Sequence, residues 1–125
     1  MAISGDVGDR CGTAWALSNL GVDLFAQIEL GQADAHSADP VIEEGMAIWD
    51  ELGERRHLAL AQMNLGSTAI LQREFAQARI WLEQSLSTLS DLQDVNGIAT
   101  NVATWSSLFH ARGQYEQAVR LLAAT

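Results

Sequence analysis

No lysine occurs in this chain of 125 residues, and its whole positive side-chain charge rests on seven arginines. Sixteen acidic residues oppose them, for a net charge of −9. Phosphate backbones are gripped by clustered cations, so nucleic acid is not expected as a direct ligand. Arginine used to the exclusion of lysine fits a GC-rich bacterial genome. Cysteine is almost as scarce: Cys11 stands alone, no disulfide can close within the chain, and a cytoplasmic location with an inert thiol is expected. No apolar run approaches the roughly 20 residues that cross a bilayer, so no membrane span is expected. The opening "MAISGDVGDR" lacks the basic and apolar blocks of a signal peptide.

The residues of common catalytic and metal sites are equally thin. His36, His57 and His110 fall in separate segments, with no pair at the i, i+4 spacing of a helical metal site. "GDVGDRCG" has glycines but no Gly-Lys-Ser/Thr, so it is no phosphate loop and reads as a flexible terminus. The acidic pairs Glu43-Glu44 and Asp50-Glu51 lie among polar neighbours and read as solvated helix faces. Acid–base carboxylates instead need burial to raise their pKa. No nucleophile–base pair is legible, and no enzyme, catalytic residue, metal or cofactor is expected.

What is present is a globular composition, 48% apolar and 18% charged, of a size that suits one domain. Within it a text is repeated. Ala38/Ile42, Ala78/Leu82 and Ala118/Leu122 stand 40 residues apart. Upstream anchors accompany them: Asn19-Leu20-Gly21, then Asn64-Leu65-Gly66, then Thr104-Trp105-Ser106, with five extra residues in the first unit. Each unit reads as two amphipathic helices. In the second, Leu58, Ala61, Leu65 and Ala69 follow the helical period, Arg73-Glu74 forms the turn, and Phe75, Ala78, Leu82, Leu86 and Leu89 resume the stripe.

The first unit places Ala14, Leu17, Leu20 and Leu24 ahead of Ile42, Met46 and Trp49. The third places Ile98, Val102, Trp105 and Phe109 ahead of a turn at Gly113-Gln114, then Tyr115, Ala118 and Leu122. Gly113 suits a helix C-terminus because glycine reaches positive φ without strain. "GQADAHSADP", residues 31–40, reads as a longer loop, with Asp39 as N-cap and Pro40 opening the next helix. The four tryptophans, Trp15, Trp49, Trp81 and Trp105, are expected to pack within or between repeats.

These anchors resemble the tetratricopeptide repeat, W-x2-L-G-x2-Y, then A-x3-F, then P. The L-G element stands in the first two units and the A-x3-apolar element in all three. The leading tryptophan is replaced by Leu17, Gln62 and Val102, and the repeat proline is missing. The period of 40, and phrases such as "GERRHLALAQMNLG", look like the long-repeat regions of large bacterial regulators and cyclase-like signalling proteins. The resemblance implies an all-α, right-handed α-solenoid of three antiparallel helical hairpins forming one domain. The repeats would cover approximately residues 8–52, 53–92 and 93–125, the last truncated.

It also implies a protein-interaction or sensory module whose first helices line a concave groove. Asn19 and Asn64 hold the position where some peptide-binding members place an amide clamp, giving and accepting a hydrogen bond with an extended backbone. Met63, Ser67 and Ile70 would flank Asn64. Thr104 takes the equivalent place in the third unit, with Asn101 one turn earlier, and Gln62 and Gln72 are further polar candidates. An acidic tail would need arginines inside the first helices, whereas Arg10, Arg55, Arg56 and Arg112 are expected at helix ends. A neutral or basic apolar peptide suits this charge better. The third unit stops within its second helix, so apolar surface around Val119, Leu121 and Leu122 is expected at that end. Either a longer protein or a second copy would cover it, and the second case makes the stack a self-associating spacer.

Overall fold

The computed structural model describes the backbone of residues 2–32, 34 and 36–124, and their side chains except those of 2–8, 118, 122 and 124. The described residues are helical with no strand. The helices are α1 (Ala2–Glu29), α2 (Asp39–Glu51), α3 (Arg55–Leu71), α4 (Phe75–Asp91) and α5 (Val95–Ala124). The glycine-bearing opening segment, expected as a flexible terminus, is instead the first part of α1. Gly12 costs only about 1 kcal/mol inside a helix, too little to break one that continues on both sides.

Successive helices reverse through one device. After α2, the Gly53 N–H donates to the Asp50 carbonyl and the Glu54 N–H to that of Trp49. The pattern recurs at Arg73 and Glu74, and again at Gln93 and Asp94. This 5→2 and 6→1 pairing satisfies carbonyls that a helix end leaves open. It requires positive φ, which is 72° at Gly53, 64° at Arg73 and 56° at Gln93, and 73° at Gly31, where the same pairing ends α1. Two of the four positions bear side chains that resist this conformation, so packing of the helices on either side holds them there.

Gly113 continues the 20-residue beat of these reversals, yet no reversal occurs there: α5 runs unbroken through Gly113-Gln114. The third hairpin expected from the repeat is therefore a single long helix. Continuation through this position keeps the helical hydrogen bonds. Glycine permits the turn without imposing it. Ala118 and Leu122, the third copy of the repeat anchor, lie outside the described side chains.

Neighbours in sequence pack against each other, and α3 also meets α1 and α5, so that these three lie side by side in one layer; α2 and α4 pack against that layer without touching each other. The repeat anchors set the closest approaches. A Cβ on Gly21 would meet the Ile42 Cγ1 at 3.1 Å, and one on Gly66 would meet the Leu82 Cδ2 at 3.1 Å. The same correspondence places Gly45 over the Ala14 carbonyl and lets the Ser85 hydroxyl donate to the Ala59 carbonyl at 2.8 Å. One cluster gathers Ala14, Ala38, Ile42 and Trp49 with Leu65; the other gathers Ala59, Met63, Ala78, Leu82, Leu89 and Leu108. Helix α3 feeds both and is buried on opposite faces.

Helices with a neighbour on only one side of their layer depart from the expected stripes. Leu20 is 46% exposed where its repeat partner Leu65 is buried, and Phe109 is 60% exposed. No helix among the described residues covers those faces. Asp39 departs too. Ala38 is the residue before α2, and Asp39 makes no cap bond. Its carboxylate instead accepts from the Gln72 Nε2 at 3.0 Å and the Thr68 Oγ1 at 3.2 Å, tying α2 to the end of α3.

Asp94 does cap its helix. Its Oδ1 accepts from the Gly97 N–H at 3.1 Å, and its Oδ2 accepts from the Arg56 Nε at 2.6 Å. The Gly97 backbone bond first, and the Arg56 guanidinium second, hold this carboxyl below its ordinary 3.8. A depressed folded-state pKa stabilises the fold above the unfolded value and loses that contribution as pH falls through the folded one. Thermal midpoints of the wild type and Asp94→Asn should therefore differ by a constant amount at neutral pH and converge below about pH 4. A gap that persists undiminished to about pH 2 would contradict the assignment.

Candidate functional site

The layer of α1, α3 and α5 carries an open trough, built from parallel helices joined at their N-terminal halves. Trp15 of α1 meets His57 of α3 edge to face at 4.9 Å, and the Arg56–Asp94 pair joins α3 to the head of α5. Below these ties the helices leave three hollows that share their walls. One, of about 300 Å³, is bounded by Trp15, Asn19, Val22, Asn64 and Thr100. The next, of about 200 Å³, runs from Val22 and Asn64 to Phe25 and Ser67. The last, of about 280 Å³, continues from Phe25 and Ser67 to Ile70, Thr100, Thr104 and Ser107. Each alone is at or below the small end of ligand pockets, roughly 300–1,000 Å³, while their shared walls make one elongated channel.

Asn64 sits centrally, half-buried, on the wall common to two hollows, and Asn19 stands beside it on α1. Neither amide has a hydrogen-bond partner among the described residues. The simple structural role for Asn64, bonding a neighbouring helix, is therefore not seen. Ser67, Ile70 and Thr104 line the same channel. The Thr104 and Thr100 hydroxyls donate back to carbonyls of their own helix, at 3.0 Å each, leaving oxygen lone pairs toward the channel as acceptors.

Two sequence candidates are placed differently. Asn101 is fully buried beneath the channel, where its Nδ2 donates to the Leu82 carbonyl at 3.1 Å and its Oδ1 has no protein partner. Met63 reaches one hollow but belongs to the core at 5% exposure. Both residues stand on a helix side that a repeat period of 40 does not separate from the groove side by residue type. Gln72 is engaged with Asp39, and the Gln62 Oε1 is buried without a partner.

Val22 and Phe25 are wall residues that the sequence reading passed over. Stepping by three from Asn64 finds Ser67 and Ile70, and the same step from Asn19 leads to Val22 and Phe25. The signal was present in the first unit, masked by the leucine stripe beside it.

Charge completes the picture. Arg10 and Arg112, expected at helix ends, lie inside α1 and α5, and they pair with Glu51 and Glu116. Among the described residues no arginine lines the three hollows, and Glu29 stands at one end. No group of three His, Cys, Asp or Glu side chains among the described residues could hold a metal ion, and no described helix is long and apolar enough to cross a membrane. Comparison with protein-family models, with curated proteins and with solved structures returns no match.

Proposed function

We propose that this chain is a tetratricopeptide-type stack, a right-handed solenoid of two hairpins followed by a further first helix, and that it binds an extended peptide along the trough. The reading makes it a non-enzymatic interaction or sensory module of a bacterial cytoplasmic regulator. The observation that carries it is the pair Asn19 and Asn64, at equivalent repeat positions in one channel with both amides unpartnered. Such amides can pair a backbone N–H and C=O, whatever side chains the peptide bears. Apolar walls at Val22, Phe25 and Ile70 would take its side chains. The absence of arginine and the presence of Glu29 suit a neutral or basic segment over an acidic one.

The test uses a peptide selected by display against the folded chain. Each clamp amide contributes about 1–1.5 kcal/mol, so Asn19→Ala with Asn64→Ala should weaken binding by roughly 30- to 160-fold. The thermal midpoint should hardly move, because neither amide bonds within the fold. Unchanged affinity by isothermal titration would dismiss the clamp. A second reading, self-association, is favoured by a different observation: apolar side chains of α5 stand in solvent, Phe109 at 60% and Leu121 at 68% exposure.

A further inference from the structure

The way α4 covers α3 says what should cover α5. Gly66 on α3 receives Leu82 of α4, Ala59 receives the Ser85 hydroxyl, and Phe75 and Trp81 close the sides. Forty residues on, the sequence offers the same parts again: Ser106 for Gly66, Leu122 for Leu82, Thr125 for Ser85, with Tyr115 and Leu121 for Phe75 and Trp81. Yet the segment that should return is the outer part of α5 itself, directed away from the face it matches. That face is open. Between α4 and α5 lies a hollow of about 580 Å³ walled by Phe75, Ile80, Trp105, Leu108 and Phe109 and edged by Arg79 and Arg112.

We infer that the occupant of this face is residues 116–124 of a second copy, so that two chains exchange their α5 arms. Tyr115, at the root of the arm, meets Phe75 of its own α4 edge-on at 5.9 Å, but the straight helix carries the residues beyond it away from α4, and two such helices lying antiparallel bring each arm onto the other's open face. The internal register then sets the arm of one copy across Ser106 of the other, as α4 lies across Gly66. Gly113 falls at the crossing, where it meets no atom within 4 Å in the single chain and lets the two helices approach. Exchange of an element whose hinge has straightened is a low-cost route to a symmetric dimer.

Charge permits it on this face. Two chains of net charge −9 repel, but the arginines edging the hollow are each paired with a glutamate four residues on, Arg79 with Glu83 and Arg112 with Glu116. The arm adds only Arg120 to Glu116. The contact is therefore locally neutral and largely apolar.

This interface deepens the self-association reading and is independent of the trough. Sedimentation equilibrium of the 125-residue chain should show a dimer. Phe109→Asp spoils the face and Leu121→Asp spoils the arm; each should weaken dimerisation by roughly 100-fold. Both side chains are more than half exposed in the single chain, and circular dichroism should confirm unchanged helicity, with Val102→Asp and Val119→Asp as replacements if it does not. Mixing the two variants is decisive. One good face then meets one good arm, and the mixture should regain about tenfold in affinity over either variant alone.

A monomer at high concentration would overturn both the exchange and self-association. A dimer that both substitutions weaken but mixing does not rescue would leave self-association standing and overturn the exchange. A dimer indifferent to both would place the interface elsewhere.

Discussion

Leu82→Ala should lower the thermal midpoint by about 10–20 °C, corresponding to roughly 3–5 kcal/mol. Leu82 has no exposed surface and stands where α3, α4 and α5 meet. Its side chain fills the notch left by Gly66, while Asn101 binds its carbonyl. Those neighbours make the site rigid. The Asn101 bond and the Ser85–Ala59 bond fix the spacing of α3, α4 and α5, which limits relaxation after truncation, so most of the cavity term applies. Leu82→Met, which keeps the volume, should cost less than about 1.5 kcal/mol.

The notch also predicts coupling. Gly66→Ala alone forces a methyl to 3.1 Å from Leu82 Cδ2 and should destabilise. In the Leu82→Ala background the same methyl enters vacated space and gains helix propensity, so its effect should reverse sign. Calorimetry of the four proteins in the cycle measures this directly. Simple additivity would mean that the two side chains do not share the site.

Trp49→Ala should cost about 3–5 kcal/mol. Trp49 is 2% exposed and is the one large ring in α2; it stacks on His57 of α3 at 4.4 Å and meets Trp15 of α1 edge-on at 5.6 Å. Truncating it removes the ring contacts by which α2 meets both neighbours at this end and leaves the exposed Arg10–Glu51 pair. The Asp39–Gln72 and Asp39–Thr68 bonds would still hold the other end. The loss should therefore concentrate in faster amide exchange over residues 42–52, with α4 protected as before. Trp49→Phe keeps a ring against His57 and should recover about half of the loss. Uniformly faster exchange across all the helices would instead show that the molecule opens as one unit.

Much of this architecture is legible in the sequence itself. Ala38 and Ala78, read as matching anchors, both have no exposed surface, and Ile42 and Leu82 face Gly21 and Gly66 at the same separation. Matching small residues leave little freedom: where helices must touch, only a residue without bulk fits, so the pattern survives in the text. The reversals were less legible. Positive φ falls on two glycines, an arginine and a glutamine in turn, so no residue type marks the position, and the glycine that continued the series at 113 lies within a helix. Asn64 and Asn101 illustrate the same limit for the candidate site. Both are asparagines on helices of one layer, yet one faces an open channel and the other is sealed beneath it.

The order of residues alone determined that the chain is helical, where its apolar stripes run, and that one pattern of small and large residues recurs. Those properties follow from short-range periodicity and side-chain size. Which faces remain open was decided by tertiary structure: α5 passes straight through Gly113 because reversal depends on what a returning segment can bury, an account drawn up over the whole fold. The exposure of Phe109, the burial of Asn101 and the unpartnered amides of Asn19 and Asn64 all follow from that competition between local hydrogen bonding and long-range packing.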